Sequence, residues 1–231
     1  MEQRSYNQYC ATARTLDIVG ERWTLLLIRE LLTGPKRFSD LQRSLRGLGT
    51  GLLSTRLKYL EQQRLAQKIT LPPPARAPAY ELTEAGAELA PAVLSLARWG
   101  MKWAMADPRD DEVFHPGWAV LALRACFDSD AASGLRVVYE FRVGDEVFHA
   151  RIDDGTIDTV HGPVRHPDLT ITTDDRTFRE IAAGRTTLAA AVRNATAVAT
   201  GDRAALRALR TVFRLPTPVQ RIAAAPNTQG S

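Results

Sequence analysis

Cysteine is almost missing from this chain: its 231 residues include only Cys10 and Cys126, 116 positions apart. With no C-x-x-C pair, neither a disulfide framework nor a structural zinc site can be assembled, so any core must be apolar. Long apolar runs are missing too. The longest, around Trp118 to Leu123, falls far short of the roughly 20 residues a membrane span needs, and the opening residues lack the apolar region of a signal peptide. The expectation is a cytoplasmic protein with no membrane partner. Histidine is sparse: His115, His149, His161 and His166 are scattered, and the last two lack the i, i+4 spacing of a helical metal pair. No Ser/His/Asp arrangement is visible. The stretch Gly47-Leu48-Gly49-Thr50-Gly51 looks like a phosphate cradle, but it follows a helical pattern instead of a strand, so the dinucleotide reading fails. No catalytic residue, metal site or cofactor is expected, and the chain is not expected to be an enzyme.

What is present is an ordinary globular composition, 45% hydrophobic and 24% charged, at a length that allows one large domain or two small ones. The charge is unevenly spread. Residues 1–105 hold 15 Lys and Arg against 9 Asp and Glu, whereas residues 106–231 hold 15 against 17. Within residues 36–64 the bias sharpens: Lys36, Arg37, Arg43, Arg46, Arg56, Lys58 and Arg64 face only Asp40 and Glu61. That density points to a polyanionic partner, with a plain solvated surface as the alternative.

Periodicity organises the first half. Leu16, Val19, Trp23, Leu26, Leu27 and Leu31 recur at helical spacing from Cys10 to Leu32, and Gly34-Pro35 ends that pattern. A short helix, Phe38 to Leu45, comes next, then the glycine-rich turn, then a helix from Leu52 to Arg64. At about 100° per residue, Leu53, Leu57 and Leu60 of that helix form one buried stripe. The opposite face carries Gly51, Thr55, Lys58 and Gln62, flanked by Ser54 and Tyr59. Two short strands follow, Ala66 to Leu71 and Tyr80 to Thr83, separated by a proline-rich loop with Arg76 at its tip. Thr83 can cap a helix from Glu84 to Met105 with Leu89, Val93, Leu96, Trp99 and Trp103 on one face.

Two helices joined by a glycine-containing turn, then a hairpin with a basic tip, is the order of a winged helix-turn-helix. In that arrangement Thr50 and Gly51 allow close approach to a phosphate backbone at a helix N-terminus. Lys36, Arg37 and Arg56 would neutralise phosphates, Ser54, Thr55 and Lys58 would reach base edges, and Arg76 would touch a minor groove or a phosphate. The resemblance is closer still. Cys10-Ala11-Thr12-Ala13-Arg14, Val19-Gly20-Glu21-Arg22-Trp23-Thr24, the run Ile28 to Leu41, Leu53-Ser54-Thr55-Arg56-Leu57 and Tyr80 to Gly86 resemble, in order, the HxlR family of bacterial transcription regulators, MarR-like winged-helix proteins. The resemblance covers roughly residues 8–104. It implies a nucleoid-associated, sequence-specific regulator that binds a pseudo-palindromic stretch of double-stranded DNA as a homodimer. Pairing would run through the first and last helices of the domain, with Leu96, Trp99 and Trp103 at the interface; packing of that apolar face on the second domain is the alternative. It also implies that the position matching Cys10 is often a thiol sensor of redox or electrophile stress, whereas Cys126, in an apolar segment, reads as core.

Composition places a first domain at 1–105, a linker at 106–117, a second domain at 118–223 and a flexible tail at 224–231. The second domain reads as α+β, a curved, antiparallel-rich meander covered by helices: strands Val137 to Val143, Val147 to Ile152 and Thr156 to Val160 are separated by the hairpin dipeptides Gly144-Asp145 and Asp154-Gly155, Leu169 to Thr173 is a fourth strand, and Ala195 to Thr200 a short last one. Its segments Asp168 to Asp174, Phe178 to Arg185 and Ala195 to Leu209 are similar to sterol-carrier-protein type domains. That resemblance implies an apolar cavity for an apolar or aromatic small molecule, with Tyr139, Phe141, Phe148 and Phe178 as candidate lining residues or ordinary core. Arg142, Arg151 and Arg165 would then favour an acidic ligand or be solvated edges. The alternative for this half is a ligand-free dimerisation or protein-interaction module.

Overall fold

The computed structural model describes residues 5–105, 112 and 115–216, so the tail at 224–231 and most of the linker at 106–117 lie outside the described residues. The chain forms two compact units, Met1–Val93 and Leu94–Ser231. The division falls earlier than the composition shift near Met105.

The first unit begins with α1 (Ala11–Val19) and α2 (Thr24–Leu31), which corrects the single helix expected from Cys10 to Leu32. The break has a local cause. Gly20 N–H closes on Leu16 O at 2.8 Å, and Trp23 then takes the left-handed conformation at φ +78°, which re-aims the chain. Helices α3 (Phe38–Ser44) and α4 (Thr50–Gln62) follow. Leu27, Ile28, Leu41, Leu53, Leu57 and Leu60 are fully buried together, each stabilising the unit by about 1.5–3 kcal/mol relative to exposure. Strands β1 (Ala66–Thr70) and β2 (Pro78–Leu82) pair antiparallel from Ala66↔Leu82 to Thr70↔Pro78. Lys36 joins the edge of that hairpin through two backbone bonds with Tyr80, at 2.8 and 2.9 Å.

The helix expected from Glu84 to Met105 is also divided, into α5 (Glu84–Ala87) and α6 (Ala90–Trp103). Thr83 caps α5 by accepting the Gly86 N–H at 3.2 Å, and Pro91, which has no N–H to return to the preceding turn, forces a restart. From Leu94 onwards α6 belongs to the second unit, where it meets α7 (Ala119–Cys126). Arg98 Nη1 donates to Ala125 O at 3.2 Å, and Met101 Sδ lies 3.8 Å from Cys126 Sγ.

The rest of the second unit is a five-stranded sheet in the order β5-β4-β3-β6-β7. Its strands are β3 (Arg136–Val143), β4 (Glu146–Asp153), β5 (Thr156–His161), β6 (Leu169–Thr173) and β7 (Ala197–Gly201). Strands β3 to β5 form a meander; β6 returns parallel to β3, and β7 pairs antiparallel with β6. Asp154 and Gly155, both at positive φ, turn β4 into β5. One face, with Tyr139, Phe141, Val143, Phe148, Ala150, Ile152, Leu169 and Ile171, is buried with residues of α7 and α10 (Arg203–Val212). Helices α8 (Asp175–Ala182) and α9 (Leu188–Arg193) lie between β6 and β7 in the chain. Arg142 and Arg151 point to the other face and are exposed, and Arg142 pairs with Glu140 at 2.8 Å. Arg165 is exposed as well, and none of the three arginines lines the cavity that this unit forms.

Candidate nucleic-acid interface and ligand cavity

Helix α4 is amphipathic because its leucine stripe is consumed by the core, which leaves the opposite side bare. Thr50, Gly51, Ser54, Thr55 and Lys58 are all exposed there. The Thr55 hydroxyl donates back to Gly51 O at 2.9 Å, which commits its proton and leaves the oxygen to act as an acceptor. A Cβ built on Gly51 meets nothing within 4 Å, so internal packing does not demand glycine at this position. Open backbone at a helix start suits close approach of an anion. Leu52, 42% exposed, shares this surface. Sequence reasoning missed it, although its angle about 100° from the Leu53 stripe was the available signal; an exposed aliphatic side chain here has the chemistry to meet a thymine methyl.

Arg56 departs from expectation. Its side chain is 8% exposed and donates to Glu21 Oε2 at 2.8 Å, so it joins α4 to the α1–α2 connection and is not presented with Lys58. On the flanks, Arg37 precedes α3 and its N–H bonds Asp40 Oδ2 at 3.2 Å. Lys36 is half-buried beside it, and Arg43 and Arg46 are exposed. Arg76 sits exposed at the tip of the β1–β2 loop at φ +37°. Side-chain geometry thus gathers Thr50, Gly51, Ser54, Thr55 and Lys58 on one helix face and sets Arg76 on the wing.

Cys10 is fully exposed immediately before α1. Its sulfur makes no capping hydrogen bond, yet the Ala13 and Thr12 amides hold its pKa below the ordinary thiol value. Burial pushes Cys126 the other way, up to about 11. On α6, Leu96 and Trp99 are 54% and 51% exposed, and Trp103 is half-buried.

The second unit forms a partly open cavity of about 410 Å³ between α7, α8, the start of α9, α10 and the inner sheet face, within the size range of small-molecule sites. Phe141 and Phe178 line it. Tyr139 and Phe148 do not: both are fully buried, Tyr139 donates to Ala205 O at 3.0 Å, and Phe148 stacks on Phe141 at 5.2 Å. Cys126, Leu123, Ile181 and Arg210, absent from the candidates read from sequence, also line it. They come from three different helices, and no spacing rule in the chain links them. Among the described residues no group of three His, Cys, Asp or Glu side chains is placed to hold a metal, and no described helix is long and apolar enough to cross a membrane.

Paired helices with an exposed polar reading face, followed by a two-stranded wing, define a winged helix-turn-helix protein. A family model described as HxlR-like helix-turn-helix matches residues 18–108. The chain is 33% identical over 90 residues to the uncharacterized HTH-type transcriptional regulator YvaP of Bacillus subtilis, covering 39% of this chain and 83% of YvaP. The chain belongs to the HxlR-like helix-turn-helix family. It is also 40% identical over 90 residues to the uncharacterized HTH-type transcriptional regulator Mb3122 of Mycobacterium bovis, over 39% of this chain, and spans 56% of that relative's length. Among solved structures it is similar to the reduced form of the transcriptional regulator YodB from B. subtilis, with 29% identity, 45% of this chain and 100% of that chain covered, and a TM-score of 0.37. Where the sequence resembles sterol-carrier domains, the matching family model is instead one described as Alkyl sulfatase C-terminal, over residues 120–222.

Proposed function

We propose that this protein is a dimeric, sequence-specific DNA-binding transcriptional regulator whose operator affinity responds to an apolar small molecule held in the cavity of the second unit. The observation that carries the DNA-binding reading is the exposed face of α4, small, polar and basic from Thr50 to Lys58. Base edges are read by Ser54, Thr55 and Lys58, phosphates are neutralised by Lys36, Arg37 and the wing residue Arg76, and Thr50 and Gly51 let the backbone come close. The half-exposed Leu96 and Trp99 supply the apolar surface through which two copies pair. The names of the relatives as HTH-type transcriptional regulators support the same reading.

The ligand half rests on the cavity: a space of about 410 Å³ with mainly apolar lining is suited to an apolar effector of the sterol-carrier kind. The match to an alkyl sulfatase C-terminal model agrees in character, since an alkyl sulfate joins an apolar chain to an anion. An effector acts by binding one dimer arrangement more tightly than another. Genomic fragments selected by the protein, followed by anisotropy titration with and without added ligands, test both halves. Retention of no preferred sequence would remove the DNA reading. Equal operator affinity across lipids and aromatic metabolites would remove the effector.

A second reading is favoured by one observation: Cys10 is exposed and its thiolate is favoured by the Ala13 and Thr12 amides. In that reading Cys10 is the sensor of oxidants or electrophiles, and the second unit serves assembly. Operator release by diamide in the wild type but not in Cys10→Ser supports it; release in both excludes it.

A further inference from the structure

The cavity of the second unit is not uniformly apolar, and its one charge tells what kind of molecule it accepts. The floor is apolar and buried, built from Phe141, Val143, Ile171, Cys126 and Leu209. Arg210, on α10, is the only charged residue among the described lining residues, and it is exposed at the rim. Among the described lining residues no carboxylate neutralises it. Arg136, Arg142 and Arg214 pair with Asp153, Glu140 and Asp128 at 2.9, 2.8 and 3.0 Å; Arg151, Arg207 and Arg210 have no ion-pair or hydrogen-bond partner among the described residues, and of these three Arg210 alone lines the cavity. A planar guanidinium with five donors is matched to an oxyanion. An anion seated there displaces no internal pair, and the rest of the molecule lies on the apolar floor.

We propose, on the basis of the cavity reading above, that Arg210 selects the headgroup and that the ligand class is an amphiphile with one terminal oxyanion, a sulfate or a carboxylate, whose apolar chain fills the cavity. A neutral molecule of the same chain gains burial only, and a cationic one is repelled.

The test uses full-length protein and four ten-carbon probes below their micelle concentrations: decyl sulfate, decanoate, 1-decanol and decyltrimethylammonium. Affinities come from isothermal titration calorimetry. In the wild type, decyl sulfate and decanoate are expected to bind about tenfold more tightly than 1-decanol, the scale of one charge-assisted hydrogen-bonded contact. Arg210→Ala is expected to abolish that ratio and leave 1-decanol binding unchanged. Arg210→Lys retains part of it, and Arg207→Ala, an exposed arginine of α10 outside the lining, retains all of it. The ratio, unlike the affinity alone, does not move when a variant merely loosens the fold. The ratio of decyl sulfate to decanoate distinguishes the two oxyanions. A preference that survives in Arg210→Ala, or equal binding of neutral and anionic probes to the wild type, overturns the headgroup inference while the cavity stands. Absence of binding by all four probes overturns the cavity reading itself and this inference with it.

Discussion

Lys58 and Arg56 stand two positions apart on α4 and answer to different forces. Lys58 is exposed on the reading face, so Lys58→Ala is expected to weaken operator binding by about 1–3 kcal/mol and to relax the preference at the base it reads, measured by anisotropy on operator variants. Arg56 is buried against Glu21. Arg56→Ala is expected to cost about 1–3 kcal/mol of stability in urea unfolding and to leave the salt slope of the folded protein unchanged. A fallen slope in Arg56→Ala would return it to the interface. Leucine periodicity made the α4 stripe legible in the sequence, but Arg56 lies on the flank of that stripe. Only its partner, 35 positions away, decides whether it turns in or out. The two thiols separate in the same way. Iodoacetamide at pH 8 is expected to modify Cys10 well before Cys126 in native protein, because the Cys10 thiolate is favoured and the Cys126 thiolate disfavoured. The raised Cys126 pKa also carries a sign for stability. Its contribution is fully present below the ordinary thiol value of 9.0 and is lost as pH rises through about 11. Unfolding free energy should therefore fall more steeply across that window in the wild type than in Cys126→Ala, and parallel curves would contradict it.

At the level of elements, one substitution made at two glycines should have opposite consequences. A Cβ on Gly20 would stand 2.5 Å from Leu16 O, so Gly20→Ala is expected to displace the end of α1 and cost about 1–3 kcal/mol, measured by thermal or urea unfolding. A Cβ on Gly51 meets open space. Gly51→Ala is expected to hold or raise stability by up to about 1 kcal/mol and to weaken operator binding, because the added methyl group stands where the phosphate backbone approaches. Weakened stability at Gly51, or unchanged DNA affinity, would count against that placement. The two glycines differ in how plainly the sequence marks the break each one makes. The turn ahead of α4 was recognisable from three glycines in five residues. The break at Gly20 to Trp23 was hidden because the apolar spacing of Leu16, Val19, Trp23 and Leu27 continues across it. A left-handed tryptophan leaves no mark in periodicity. The first four strands of the second unit were legible nearly to the residue, with Gly144-Asp145 and Asp154-Gly155 setting the ends of three of them; the last, expected from Ala195 to Thr200, starts instead at Ala197, because Ala195, at positive φ, still belongs to the turn that closes α9. The cavity was not, because its lining is assembled from α7, α8, α10 and two strands whose juxtaposition no local pattern encodes.

For the whole molecule, the division of charge between a basic first half and a slightly acidic second half was visible from composition alone, and it coincides with a division of apolar cores. One core gathers Leu27, Ile28, Leu41, Leu53, Leu57 and Leu60, the other Tyr139, Phe141, Phe148, Ile152, Leu169 and Val212, with no residue in common. Helix α6 alone contributes to both units, Val93 to the first core and the segment from Leu94 to the second unit. Each core therefore needs its own cooperative unfolding unit. Leu57→Ala and Phe148→Ala each remove a fully buried side chain, at about 2–5 kcal/mol. In native-state hydrogen exchange, Leu57→Ala is expected to accelerate the slowest amides of α2 and α4 and leave those of β3 and β4 unchanged, and Phe148→Ala to do the reverse. An amphiphile bound in the cavity should slow amides of α7, α8, α10, β3 and β6, and leave those of α2 and α4 unchanged, when DNA is absent. Acceleration of all slow amides by either substitution would instead mean one cooperative unit, and α6 would then be the element that joins the two cores.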